Sequence, residues 1–267
     1  MCIFLSLMMI CLNSSILLGM NERETMINND QFINKQGSFV AKTKQGSSVL
    51  IEWQCDTSFS QVTIDTMATL WECARQAYLP VEIDFLKQFS EVVGAEGYYK
   101  LFEPLFAQGI ENVDWSQAEI IMEGMLKNHF VIDLSKIPES IVAQYQNDQM
   151  IIVTAKDEQT ETLLGFMTFM IGNNYPKGYV KAIAAGVVPS MQGHGLGKIM
   201  MGALYKIVSQ ITCIFLCTRI TNKQALRAYE SWGFVRTDNP MQDPHHQFNP
   251  KHWVFMQYDA LHCNTLQ

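Results

Sequence analysis

The spacing of apolar positions changes character near residue 149. Before it, strand-like alternation occupies 38–43 and 47–54, and Lys44-Gln45-Gly46 between them predicts the turn of a hairpin. From 63 to 78, Ile64, Met67, Trp71, Ala74 and Tyr78 fall on one helical face, and Pro80 is expected to stop that helix. More helix is expected around 82–93 and 97–107, and Ser116-Gln117-Ala118-Glu119 reads as a capping box opening another near 117–128. After 149 the segments 150–155, 163–171 and 179–188 are β-rich. A glycine cluster, a helix, a strand at 211–218, a second helix and strands near 234–237 and 252–258 follow. Helices interleaved with strands predict a mixed α/β fold.

Composition narrows the class. With 267 residues, 48% of them hydrophobic and 17% charged, the chain can bury a core and is not of the disordered type. The net charge of −7, from 26 acids against 19 bases, excludes a nucleic-acid partner held by a basic surface. Seven cysteines, an odd number with no Cys-x-x-Cys, argue against a zinc ribbon or a disulfide framework and favour a reducing compartment. Residues 1–19 form an apolar leader of signal-core length, yet no Lys or Arg precedes it and no small-x-small cleavage site follows. Two readings stay open. Translation starts near Met20 and the protein is cytoplasmic, or the leader exports or anchors it, the one case in which a membrane is expected. Residues 20–37 read as a loose polar tail, 38–148 as strands followed by a helical arm, and 149–262 as a second unit.

Gln192-Gly193-His194-Gly195-Leu196-Gly197 lies between a strand and a helix whose Leu196, Ile199, Met200, Ala203, Leu204, Ile207 and Val208 share one buried face. Glycines let the backbone curl, and the first helical turn offers unpaired N–H groups at the positive end of the dipole, so the junction suits a phosphate; a tight turn that binds nothing is the alternative. A Walker A loop fits poorly, since Gly193 and Gly197-Lys198 enclose only three residues and Ile199 replaces the metal-holding hydroxyl. A dinucleotide fingerprint fits poorly as well, because the cluster is G-x-G-x-G and comes late in the chain.

A wider pattern is more specific. Val187-Val188-Pro189 precedes Gln192-x-x-Gly195-x-Gly197, and about 25 residues later comes Asn222-x-x-Ala225-x-x-Ala228-Tyr229-x-x-Trp232-Gly233-Phe234. In this order and spacing the two motifs resemble the GNAT superfamily of acyl-CoA-dependent N-acetyltransferases, over residues 149–258. The resemblance implies an α/β fold with a mixed, centrally splayed sheet flanked by helices, here with an enlarged helical amino-terminal half. It implies acetyl-CoA as co-substrate, no metal, and direct attack of a primary amine, on a small molecule or a peptide, at the thioester.

By that resemblance, the backbone from Gln192 through Gly193, His194, Gly195, Leu196 and Gly197 to Lys198 would hold the CoA pyrophosphate. The edge containing Ala185, Val187 and Val188 would pair with the pantetheine arm. Ala184-Ala185-Gly186 is small enough for another backbone to approach. Asn222 would contact pantetheine, and Tyr229 would stand near the sulfur and protonate the leaving thiolate. One departure is visible. Where many relatives that acetylate protein lysines carry a Glu, this chain has Lys181, and no acid lies between Glu161 and Glu230. The base then comes from another segment, such as the 81–148 arm, or is ordered water. An acyl-CoA-binding sensor without turnover is the alternative function. Lys198, Lys206, Arg219, Lys223 and Arg227 against Glu230 alone make 187–233 locally basic, which suits an anionic ligand. His245, His246 and His252 read as an exposed loop without a zinc pattern, and Cys213 and Cys217 as packed thiols on one strand face.

Overall fold

Eight strands form one sheet in the computed structural model, which describes residues 33–92, 97–133, 135, 137, 139, 142, 148–172, 175–238 and 251–260. They are β1 (Gln36–Lys42), β2 (Ser48–Thr57), β3 (Gln149–Asp157), β4 (Leu163–Ile171), β5 (Tyr179–Val187), β6 (Cys213–Arg219), β7 (Val235–Thr237) and β8 (Trp253–Asp259). Their spatial order is β1-β2-β3-β4-β5-β6-β8-β7. All neighbours are antiparallel except β5 and β6, which are parallel and therefore need a crossover. The helices are α1 (Gln61–Thr69), α2 (Trp71–Gln88), α3 (Glu103–Phe106), α4 (Trp115–Phe130), α5 (Leu196–Ile207), which makes that crossover, and α6 (Lys223–Ser231).

Period-two alternation sorts the strands onto two faces. Val49, Ile51 and Trp53 of β2 and Ile151 and Val153 of β3 pack with Met200 and Leu204 of α5 and Leu226 of α6. Met150 and Ile152 point the other way, onto Met67, Leu70, Cys73, Ala74 and Phe130 of the amino-terminal helices. A third apolar cluster, with Phe85 and Leu86 of α2, Met122 of α4, and Tyr99 and Phe102 from the 3-10 turn Gly97–Phe102 between them, makes the helical enlargement a packed layer. The mixed α/β class and the enlarged amino-terminal half are as expected.

The sheet is splayed at its centre. β5 and β6 pair only at Tyr179–Lys181 against Cys213–Phe215. A register shift between Thr168 and Phe169 leaves Ile183 as the extra residue of β5. Beyond it, among the described residues, β6 continues against β8 alone, and β5 from residue 182 onward presents an edge without a strand partner on that side.

Four local expectations are corrected. Pro80 does not stop a helix. The break falls at Leu70, and α2 runs through Pro80 to Gln88, because Cys73 and Ala74 are buried on one side of it and Ile83, Phe85 and Leu86 beyond it. That burial outweighs the ~3 kcal/mol a helix-interior proline costs. The cap of α4 is not Ser116 but Asp114, whose carboxylate accepts from the N–H groups of Ser116 and Gln117. The polar tail is tied down from residue 33: Ile33 bridges Val208, and Asn34 donates to the Ile207 carbonyl. His252 is buried, edge-on to Phe85 and Phe89, and not on an exposed loop. The leader 1–19, the rest of the tail, His245 and His246 lie outside the described residues. Among the described residues no helix is long and apolar enough to cross a membrane, and no three metal-ligating side chains cluster.

Candidate active site

The splay opens a cavity of about 200 Å³. Its walls are apolar side chains of the helices and sheet, such as Met67, Phe130, Met150 and Met170, with a few polar groups set among them. Ala185, Asn222 and Tyr229 are in this lining. Ala185 lies on the unpaired edge of β5, and its N–H donates to the Tyr78 hydroxyl at 2.7 Å. Asn222 caps α6, its Oδ1 accepting from the Ala225 N–H at 3.1 Å. Tyr229 sits on α6 with its ring against Trp232 and Phe234, and burial pushes its phenol up to about 12, so it keeps its proton.

The glycine loop stands outside that lining, at the amino end of α5. Gly193 and Gly195 have φ near +80, which explains the glycines at these two positions. A Cβ at Gly193 would meet open space, whereas one at Gly195 would press on the Lys44 stem. Lys44, from the β1–β2 turn, also donates its N–H to the His194 carbonyl, so the hairpin supports the loop. Gly197 serves packing, since a Cβ there would lie 2.8 Å from the Trp232 ring. The helix thereby ties the two motifs together. Leu196 is buried and anchors the turn; Lys198 is exposed in the first turn. The N–H groups of Leu196, Gly197 and Lys198 have no intrahelical acceptor, and among the described residues no side chain caps the helix. The end of β5 is fixed by the Val188 N–H on the Leu164 carbonyl and by Gln192 Nε2 on the Val187 carbonyl. Gln192 Oε1 accepts from Gln224 of α6 at 3.0 Å and so connects the loop to the gap.

Sequence reasoning missed the residues that the helical arm brings to the cavity: Tyr78, Glu82 and His129. Tyr78 and Glu82 are four apart on one face of α2, a spacing that was visible but cut by the supposed stop at Pro80. Glu82 receives Arg219 Nε and Nη2, each at 3.2 Å, and the Tyr99 hydroxyl at 3.1 Å. Arg219 is stacked between Phe85 and Trp253, so it belongs to a buried ion pair and not to the basic surface. Burial pushes His129 down to about 4 and keeps it neutral at neutral pH. Lys181 is buried in the paired part of β5, outside the cavity lining. Cys213 is buried and pushed up to about 11, an inert core thiol; Cys217 reaches the cavity.

Residues 119–234, which contain both motifs, match the model of the Acetyltransferase (GNAT) family, in keeping with the resemblance read from them. No curated protein matches the sequence. Solved structures similar to this chain include the PaiA N-acetyltransferase of Thermoplasma acidophilum in complex with coenzyme A, at 17% identity and TM-score 0.41, covering 78% of this chain and 98% of that one. They also include the GNAT domain of S. lividans PAT, at 10% and 0.44, covering 83% and 96%. The ribosomal-protein-S18-alanine N-acetyltransferase of Escherichia coli is similar at 12% and 0.36, covering 78% and 93%.

Proposed function

We propose that this protein transfers the acetyl group of acetyl-CoA to a primary amine. The observation that carries the reading is the splayed gap. One of its edges is Ala184-Ala185-Gly186, and α6, which lines it with Asn222, Ala225 and Tyr229, is linked through Gln224 and Gln192 to a glycine loop with uncapped helical N–H groups. The loop backbone from Gln192 to Lys198 would hold the pyrophosphate, with open space in front of Gly193. The edge from Ala185 to Val188, with Asn222 opposite, would take the pantetheine arm.

In the proposed reaction the amine nitrogen bonds to the carbonyl carbon and the carbon–sulfur bond breaks. Tyr229 donates its proton to the thiolate and regains one from solvent. Its burial is no bar, since desolvation would raise a thiolate in the same gap as well. The fate of the amine proton is decided by magnitudes. Glu82 is engaged by Arg219 and Tyr99. His129, at about 4, would have to take a proton from an amine of pKa ~10.4, uphill by about six units. The amine is therefore taken to react neutral, shedding its proton to water. The buried Lys181 at the position of the family's acid favours a second reading, an acyl-CoA-binding module without turnover.

Acetyl-CoA should raise the melting temperature, and NADH and ATP should not. Gly193→Asn and Gly193→Asp both tolerate the left-handed backbone and differ by one charge. The Asp variant should lose at least about tenfold in acetyl-CoA affinity relative to the Asn variant, from like-charge repulsion at the pyrophosphate. Equal affinities would remove the loop from the site. Release of free thiol on addition of a panel of amines separates the transferase from the binding module.

A further inference from the structure

Strand geometry turns alternate N–H groups of β5 toward β4 and toward the gap, and that of Ala185 faces the gap. The oxygen on it comes from the helical layer: the Tyr78 hydroxyl accepts at 2.7 Å. This bond fixes the phenol on its acceptor side. The hydroxyl proton then lies away from β5, and no described residue offers it an acceptor. The Tyr78 ring is held against Phe130, 6.4 Å between centroids, in the cavity wall. Burial, with the nearby Tyr229 adding to it, raises the phenol above its ordinary range, so the proton is retained and available for donation.

We propose that Tyr78 is a catalytic residue: held by the Ala185 N–H, its hydroxyl donates to the thioester carbonyl oxygen and to the oxyanion that develops on it. The inference rests on the acetyl-CoA reading above. A donor that is itself a hydrogen-bond acceptor is polarised by that bond, and the apolar wall strengthens both. The two phenols then divide the labour at one carbon. Tyr78 serves the oxygen, Tyr229 the sulfur, and they stand close enough for a charge on one to raise the other. No proton leaves Tyr78. Its hydrogen bond strengthens as the carbonyl becomes an oxyanion, which is the interaction that accelerates a reaction, as distinct from one that only binds the ground state.

Infrared spectra of acetyl-CoA carrying carbon-13 at the carbonyl test this without an identified acceptor. Bound to the wild-type protein, the carbonyl band should fall below its frequency in solution. Tyr78→Phe should lose most of that downshift while acetyl-CoA affinity changes little, and turnover with any active amine should drop by about 10²–10³-fold. Fluorotyrosine placed at position 78 keeps the ring and strengthens the donor, and should deepen the downshift. An undiminished downshift in Tyr78→Phe with tighter acetyl-CoA binding overturns the proposal, because the phenol would then only occupy the place of the carbonyl. The same band with and without fluorine overturns it also, whether or not Tyr78→Phe folds. Failure of wild-type protein to bind acetyl-CoA overturns the parent reading together with this one; binding with an unshifted band overturns this one alone.

Discussion

His129 shows how a single buried side chain in the arm imposes a pH dependence on the whole fold. Burial lowers its pKa to about 4 from an ordinary value of 6.5. Between those values the unfolded chain binds a proton that the folded protein refuses, so stability rises with pH across the window and is lost as pH falls through it. The full effect is roughly 3 kcal/mol, complete only when pH has dropped to about 4. Denaturant unfolding at pH 7 and pH 5 should show wild-type protein weakening on acidification, and His129→Asn weakening less between the same two pH values; parallel losses would mean His129 titrates normally. Residues of this kind were not legible beforehand. The loop glycines were, because positive φ and close packing demand glycine at short, local spacing. Tyr78 was read only as one position of a helical stripe, since its partner Ala185 lies 107 residues away and no periodicity announces a side chain that reaches another strand's N–H.

At the scale of elements, α2 and β6 are joined by a buried charge cluster. Glu82 and Arg219 are nearly inaccessible, with side-chain exposures of 9% and 4%, and Tyr99 completes the cluster. A pair so buried is costly to break, because removing one partner leaves the other charge uncompensated. Glu82→Ala should therefore cost about 3–5 kcal/mol in denaturant unfolding, and Glu82→Ala combined with Arg219→Met should recover a large part of it. Additive losses would mean that the two residues act separately. The strands carried their own signatures: alternation and turn residues located the eight strands within a few residues, because in a sheet local pattern and burial coincide. The α2 boundary failed for the opposite reason. A proline is a local signal, and burial of Phe85 and Leu86 in a layer made by distant helices overrode it. The splay itself was reached only through the resemblance of the motifs, since nothing in the composition of β5 says where its partner strand leaves it.

Across the whole molecule, charge is distributed against its total. The chain carries −7, while 187–233 is basic. The structure removes Arg219 from that basic surface by pairing it with Glu82, and it sets Lys198 and Lys206 at opposite ends of α5. Lys198 is exposed in the first turn of α5, at the positive end of the helix dipole. Lys206 lies in the last turn, its ammonium over the Phe39 ring at 4.0 Å, a contact with the β1 side of the sheet. If an anionic ligand is drawn to the glycine loop, only the first of these stands where the phosphates would be. Lys198→Ala should weaken acetyl-CoA binding several-fold at low salt, and the difference from wild type should shrink as ionic strength rises and the Debye length falls to about 10 Å and below. Lys206→Ala should leave affinity near wild type and lower stability by a fraction of about 1 kcal/mol through the lost ring contact. Calorimetric titration of both variants with acetyl-CoA at two salt concentrations separates the cases. Equal losses from both lysines would mean that the basic segment attracts the ligand diffusely, and the amino end of α5 would have no claim to the phosphates.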